Sequence, residues 1–467
     1  MSAARLRSVR ELHELRARRQ DHLGQHLPCS AGDRPADDSV ERHLVTHSFA
    51  HGRIESIEHA VAAGGFEALA RALQQEDPKA LVEAVKRSGL RGRTGGGFPT
   101  GLKCQLVSEA ADPVRFVVCN GNAGGPGATV ATKILEANPF AVIEGLTAAA
   151  LAVGASQGYV SVPMDDNHLV SRVELAVEQC RSLGLLGDDI LGSGSSFDVE
   201  IHPSTGALVL SDETALICSI EGRRPTPRPR PPFPSSHGLF GKPTLICQVE
   251  TLVALLPVLL DEQISRLGTS LSVGSKVLLL SGCIRRPGLI EVEMGASLAH
   301  IVHGVGGGPP EGRKIRAVQI GGPSGGLVPV PDPEITLDYE ALHRAGASMG
   351  SGRLTAIAED ACMVDVVRVM TEQISLESCG KCPPCRIGLQ VIVNLVERIA
   401  HGEGSVSDLD LLEKMSTHIR SSSLCSLGQS APNNLLSALR YFRSDFEEHI
   451  RNGHCPHGVC SSFGGRA

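Results

Sequence analysis

The sequence predicts an α/β protein with a mainly parallel sheet, followed by a small β-grasp-like unit and a C-terminal helical bundle. Three observations carry this. Strand-like and helix-like stretches alternate through about residue 260, which implies a parallel sheet layered with helices. "SKVLLLSGCIRRPGLIEVEMG" then reads as a strand, a Pro-Gly turn and a second strand. From 360 onward the periodicity is helical. A chain of 467 residues is long enough for several such units, each with its own core.

Taken in order, residues 1–52 read as a polar arm. Leu6, Leu12 and Leu15 stand among six arginines, so a basic amphipathic helix is expected, in a partner-docking or partly disordered arm, with a membrane or targeting role as the alternative; Gly-Asp-Arg-Pro at 32–35 breaks any regular element. Residues 53–265 form the α/β domain. It opens on the helical "FEALARALQQEDPKALVEAVKRSG", then a glycine-rich loop and the buried-strand pattern "VRFVVCNG". "IEGLTAAALAVGA" is a helix, "GYVSVPM" a strand, and "HLVSRVELAVEQCRSLGLLG" a helix stopped by glycine. The proline-dense "RRPTPRPRPPFP" at 223–234 cannot be a central strand or a helix interior. The β-grasp-like unit is expected at 266–335, where the hairpin is followed by "SLAHIVHGVGG", a helix with Ser297 as N-cap. A helical domain spans 336–450, with Ser407 and Asp410 at capping-box spacing, and a Cys/His tail occupies 451–467.

Composition excludes several functions. There is no Trp and there are three Tyr, so stacking platforms for bases are few, and a net charge of -7 argues against nucleic acid as partner. No apolar run reaches the roughly 18 residues that a membrane span needs. The N-terminus lacks the apolar core of a secretory signal. The chain is therefore expected in the cytoplasm, at most peripheral to a membrane through partners. Fourteen cysteines in a reducing compartment point to metal rather than disulfides. Cys29, Cys104, Cys119, Cys180, Cys218, Cys247, Cys283 and Cys362 are scattered singly and read as small buried residues.

Two places concentrate thiols. "ESCGKCPPCRIG" holds Cys379, Cys382 and Cys385 as C-x2-C-x2-C, a spacing that lets three thiolates converge on one face of an iron–sulfur cluster. Structural zinc more often takes two separated C-x2-C knuckles or a cysteine–histidine set. The fourth ligand is expected to be Cys425 in "SSSLCSLGQSAPN". Pro383 and Pro384 put the third thiolate at a helix N-terminus, where the dipole favours an anionic cluster. The second concentration is "NGHCPHGVC", where His454, Cys455, His457 and Cys460 can hold zinc, with His454, Cys455 and Cys460 as the candidate set; a metal-free tail is the alternative.

"LRGRTGGGFPTGLKC", residues 90–104, is neither a Walker A nor a dinucleotide fingerprint. Leu102 follows Gly101 where Walker A needs Lys, and Thr100 stands where G-x-G-x-x-G from Gly95 needs its last Gly. From the residues alone it is a phosphate-binding loop or a tight turn.

"SGLRGRTGGGFPTGLK", "RPRPPFP", "GLFGKPT", "GGPSGG", "ESCGKCPPCRIG" and "CSLGQSAPN" occur in an order that resembles the NADH-binding flavoprotein subunit of respiratory complex I and its relatives. The wording around "CGKC", "CRIG" and "APN" is closer to the diaphorase subunits of NAD-linked formate dehydrogenases and NAD-reducing or bifurcating hydrogenases. The likeness covers about 55–450. It implies a Rossmann-like FMN-binding-type domain, a ubiquitin-like β-grasp insert and a helical bundle with one [4Fe–4S] cluster on Cys379, Cys382, Cys385 and Cys425. It also implies a thioredoxin-like [2Fe–2S] partner subunit within a formate dehydrogenase-, hydrogenase- or complex I-type assembly.

In that family NADH passes a hydride to FMN, and electrons leave singly through the cluster. By match of position, Gly92, Arg93, Gly95, Gly97, Phe98 and Lys103 correspond to the FMN cradle, with Asn120, Glu213 and Thr214 beside it. Elsewhere the match fails. The family's "CNADEGEPGTFKDR" reads "CNGNAGGPGATVATK", with Asn122, Ala123 and Gly125 in place of acidic residues. "RGEY" is replaced by Pro163, Met164, Asp165 and Asp166; "YxCGEET" by "LVLSDET", with Leu208, Ser211 and Asp212; and "NNVET" by "CQVET", with Cys247 and Gln248. Each lost hydrogen bond to a ligand is worth about 1 kcal/mol, so several together weaken nucleotide binding by orders of magnitude. The expected function is an electron-transfer subunit with the cluster intact and the FMN/NADH site partly or wholly degenerate. A working NAD(H):FMN oxidoreductase and a structural scaffold subunit are the alternatives.

Overall fold

The computed structural model describes residues 6–23, 43–46, 52–122, 129–164, 167–260, 264–330, 332 and 334–460. Of the expected arm, Val9–Leu23 is a helix laid on the α/β domain, with Leu12 buried in the main core and Arg16 ion-paired to Glu67. The rest of the arm, apart from residues 6–8, 43–46 and 52, lies outside the described residues, as do Ala123, Gly125, Asp165 and Asp166.

Strands β1 (Phe116–Asn120), β2 (Gln157–Pro163), β3 (Asp198–Ser204) and β4 (Thr244–Gln248) form a four-stranded parallel sheet in the order β3-β2-β1-β4. The chain runs from β1 toward one edge and then returns to place β4 on the other flank of β1. The order thus reverses between β1 and β4, and a crevice opens beyond the carboxyl ends at such a point. Asn120 and Gln248 face each other in register there.

Helices cover this sheet. In Pro139–Val153 every residue but Leu151 is buried, as its uniformly apolar sequence demands. Its one acid, Glu144, accepts from the backbone N–H of Phe66 at 2.8 Å and of Leu69 at 3.1 Å. It thereby caps helix Glu67–Leu73, whose own N-cap Phe66 has no side-chain cap bond. Burial nevertheless pushes the Glu144 carboxyl up to about 7 from its ordinary 4.5, with the amides opposing. The unfolded chain releases this proton first, so stability should fall as pH rises from about 4.5 through 7, by about 3 kcal/mol in all. Glu144→Gln should flatten that dependence in urea denaturation across the same range; an unchanged slope would assign it to other groups.

The second sheet holds β5 (Ser275–Gly282), β6 (Gly288–Glu293), β7 (Ile315–Ile320), β8 (Gly326–Pro329) and β9 (Arg353–Ala358) in the order β6-β5-β9-β7-β8. Only β5 and β9 run parallel. The middle strand comes from beyond residue 335, where the sequence pattern ends this unit, and Leu337, Tyr339, Leu342 and Met349 share its core. A six-residue run that follows Gly350 and Gly352 and ends at Glu359 and Asp360 carries too short a pattern to announce a strand, and its partners supply the hydrogen bonds that make it one. Ser297 precedes Leu298–His300 without a side-chain capping bond. The capping box of the later helix is Ser405 with Asp408 on Val406–Ser422, not Ser407 with Asp410.

From Met363 the chain is helical: Met363–Leu376, Pro383–Ala400, Val406–Ser422, Ser426–Ser430, Asn433–Tyr441 and Arg443–Asn452. The core of this bundle also takes in Leu208, Val209 and Ala215 from the α/β domain and Ala317 and Leu327 from the second sheet. A buried ion pair, Lys276 with Glu250, joins the first strand of the second sheet to helix Val249–Leu259. Among the described residues, no single helix is long and apolar enough to cross a membrane.

Candidate metal centre and adjoining cavity

Two prolines start helix Pro383–Ala400, where a missing N–H costs nothing, and so place Cys382 at its N-cap and Cys385 in its first turn. Cys425 occupies the same position before helix Ser426–Ser430. The four motif cysteines gather here, Cys385 and Cys425 buried, Cys379 and Cys382 half-buried. Burial pushes the Cys425 thiol up while the backbone N–H groups of Gly428 and Leu427 favour its thiolate, and the Ser378 hydroxyl lies 3.2 Å from the Cys385 sulfur. A side chain at Gly428 would meet Cys385 Cβ at 3.2 Å and Ser423 still closer.

Burial pushes the Cys385 thiol up to about 11; Ser378 opposes this, and the three neighbouring cysteines add to it. The two buried thiols, Cys385 and Cys425, resist ionising until a cationic centre sits among them. The proline-dense segment straps this loop down: Arg224 donates to Cys379 O at 2.9 Å, and Lys381 to Pro227 O at 2.5 Å. The four sulfurs do not close to the spacing of a single ion. Among the described residues, the one group of Cys, His, Asp or Glu whose ligand atoms all lie within 4.8 Å of one another is a different one.

Beside the thiols lies a cavity of about 510 Å³, lined among others by Gly95, Gly96, Leu208, Ser211, Gln248 and Leu427. It joins the glycine loop, the point of strand reversal and the Cys425 loop. A Cβ on Gly95 or Gly96 would meet nothing within 4 Å, so this part of the loop is open. The other glycines are architectural. Gly97 has φ +63° and a Cβ there would lie 2.6 Å from the Tyr339 ring; one on Gly101 would lie 2.6 Å from Lys86 Cα. Tyr339 donates to Gly92 O at 2.5 Å. Arg91, which sequence reasoning passed over, fastens the loop by donating to Gly97 O at 2.6 Å, pairing with Glu340 at 2.6 Å and stacking on Tyr339.

Most polar residues matched to the cradle turn elsewhere. Arg93 is buried, its amide donating to Thr251 Oγ1 at 3.0 Å and its guanidinium to Val273 O at 3.0 Å. Lys103 pairs with Glu213 and donates to Ile246 O at 2.8 Å. Burial lowers the Lys103 pKa, but Glu213 together with Cys247 and Cys104 outweighs it and the net shift is upward. Asn120 donates to Leu210 O at 2.8 Å, and its carbonyl accepts from Asn122 N at 2.9 Å. The Asn122 amide donates to Ser161 Oγ at 2.8 Å, and its carbonyl accepts from Ser204 Oγ at 2.5 Å. Asp212 caps helix Glu213–Ile220 and pairs with Arg230 at 2.6 Å. The retained "VET" is structural too, since Glu250 pairs with Lys276 and Thr251 holds the Arg93 amide. Gln248 alone of these presents a buried side-chain oxygen with no hydrogen-bond partner.

In the tail, Cys455 and Cys460 are buried beside Cys362 and His449. His454 is exposed and turns to Asn452 O, 3.3 Å away, so it is not part of that group, while His457 lies 3.1 Å from Arg316. Cys362, read from the sequence as an ordinary buried cysteine, belongs to the cluster of side chains instead. The spacing H-x5-C-x4-C of His449, Cys455 and Cys460 was the available signal for His449; none pointed to Cys362, far upstream.

Two family models match the chain: the Nuo51 FMN-binding domain over residues 85–256, and the NADH-ubiquinone oxidoreductase-F iron-sulfur binding region over 365–449. The chain is 40% identical to the HndC subunit of the NADP-reducing hydrogenase of Solidesulfovibrio fructosivorans, over 88% of this chain and 84% of that one. It is 41% identical to the second F-type subunit of the NADH-quinone oxidoreductase of Rhizobium meliloti (strain 1021), over 85% of this chain and 94% of that one. Among solved structures it is similar to an NAD+-reducing [NiFe]-hydrogenase in the H2-reduced state, with TM-score 0.72 and 32% identity over 81% of this chain. The match spans 64% of that longer chain.

Proposed function

We propose a function from one premise: the chain belongs to the family of F-type subunits of NADH-quinone oxidoreductases, electron-transfer subunits with an FMN-binding domain and a 4Fe–4S binding region. Within that family, our reading is a subunit that relays single electrons through one [4Fe–4S] cluster while its nucleotide site is depleted. Cys379, Cys382, Cys385 and Cys425 would hold the cluster, and an all-thiol donor set spread wider than a single ion requires suits it. When bound, the cluster supplies one-electron redox chemistry. The chain's part is to keep two of its ligands buried, to donate Leu427 and Gly428 amides toward the Cys425 sulfur, and to clamp the ligand loop with Arg224 and Lys381.

The observation that carries the depleted site is the floor of the cavity. Asn120 spends its amide on Leu210 O, and Asn122 ties the ends of β2 and β3 through Ser161 and Ser204, which leaves Leu208, Ser211 and Gln248 facing the space. A second reading, a working NAD(H):FMN oxidoreductase, is favoured by the orphaned Gln248 oxygen and the open Gly95–Gly96 edge, a donor-seeking site at the strand reversal. Purified complex, acid-released and assayed for flavin and iron, separates them. Iron at about four per copy of this chain above what the partner subunits' clusters hold, with almost no FMN and no NADH-dependent dye reduction, is the expected result. About one FMN per chain with NADH-dependent dye reduction would sink the depleted-site reading and leave the second.

The strand order of the second sheet, with a parallel central pair and antiparallel flanks, supports reading it as a β-grasp insert. We accordingly propose that this insert runs to about residue 360 and that the cluster domain begins there. Partners would be a thioredoxin-like [2Fe–2S] subunit and the catalytic and iron–sulfur subunits of a hydrogenase-, formate dehydrogenase- or complex I-type assembly. Leu376 and Ile387, exposed on the helices flanking the half-buried Cys379 and Cys382, support a docking surface at the cluster.

A further inference from the structure

We propose that Cys362, His449, Cys455 and Cys460 form a closed structural zinc site, separate from the [4Fe–4S] ligands. The four side chains come from three places: the residue before helix Met363–Leu376, the helix Arg443–Asn452, and the tail loop after it. All four are buried, and their ligand atoms lie within 4.8 Å of one another. Cys362 Sγ is 3.6 Å from His449 Nε2 and 3.7 Å from Cys460 Sγ; His449 Nε2 is 3.4 Å from Cys460 Sγ. Tetrahedral zinc with Zn–S of about 2.3 Å and Zn–N of about 2.0 Å separates its ligands by roughly 3.5–3.8 Å. A [4Fe–4S] or [2Fe–2S] centre would hold its ligands wider apart, so this spacing selects one ion.

The surroundings are arranged for ligation. His449 Nδ1 lies 2.6 Å from Asp445 O, which fixes the proton on that nitrogen and leaves the Nε2 lone pair aimed into the group. The Cys455 sulfur accepts from the backbone N–H of His457, Val459 and Cys460, a knuckle closed by Gly458 at φ +65°. Cys362 is the N-cap residue of its helix, where the first-turn amide of Asp365 favours the thiolate. Asp445 in turn accepts from Met363 N at 3.1 Å and pairs with Arg316 at 2.5 Å. Three sulfurs and one imidazole, buried with no carboxylate and no open position, suit zinc over magnesium, calcium or a catalytic metal. The ion would clasp the tail and last helix to the start of the helix that ends at the Cys379 loop, so it braces the cluster domain without touching the cluster.

The test uses the full chain in its complex. Metal analysis after dialysis should find about one zinc per chain beside the cluster iron. Cys460→Ser and His449→Ala should each take zinc from about one per chain to near none with iron unchanged, while His454→Ala keeps it. Zinc-edge X-ray absorption on the unsubstituted protein needs no variant, and should show three sulfurs and one nitrogen at those bond lengths. A shell of oxygens, no zinc at all, about four extra irons, or zinc retained in both ligand variants would each overturn the assignment.

Discussion

Replacing Cys385 by serine should strip the chain of its cluster, taking iron from about four per chain to less than one and bleaching the broad visible absorption of the iron–sulfur chromophore. Of the four proposed ligands, Cys385 is buried, sits in the first turn of Pro383–Ala400, and has Gly428 packed against it, so a hydroxyl there has neither a soft metal bond nor water. Cys218→Ser, at a buried cysteine outside both groups, should leave iron unchanged. Electron flow through the complex should vanish with the iron. If flow persisted in iron-depleted Cys385→Ser, the cluster would not lie on the electron path and a scaffold role would gain.

Replacing Glu250 by alanine should cost about 3–5 kcal/mol of stability, because it strands the Lys276 ammonium at 0% exposure. Burial pushes Glu250 up and Lys276 down, and each partner opposes the shift of the other. The same carboxylate also accepts from Val277 N at 2.8 Å, so its loss loosens the joint between the α/β domain and the second sheet. Glu250→Leu combined with Lys276→Met should recover most of the loss, since an apolar pair leaves no buried charge. Urea denaturation reads both variants. A shift under about 1 kcal/mol for Glu250→Ala would mean that water reaches the lysine in solution.

How much of the molecule is legible in its sequence differs from element to element. The strand at 116–120 and the helix at 167–183 stand out because each has a complete local pattern, and the structure has both. β9 does not, because the six residues between Gly352 and Glu359 become a strand only when β5 and β7 pair with them. The glycine loop looks like one functional unit. It divides instead into an open edge at Gly95–Gly96 and packing positions at Gly97 and Gly101, a distinction made by Tyr339 and Lys86. "VET" looks like the remnant of a pocket and is a domain joint.

The sequence by itself determined which four motif thiols gather, the alternation of strand and helix, and the family, because each rests on neighbours within a few residues or on the order of motifs. Only the tertiary structure decided which amides face the cavity and which are consumed at the strand ends. It also replaced His454 with Cys362 and His449 in the tail group. Those outcomes depend on side chains far apart along the chain meeting at a few ångströms, and chain separation carries no trace of where packing will bring two residues together.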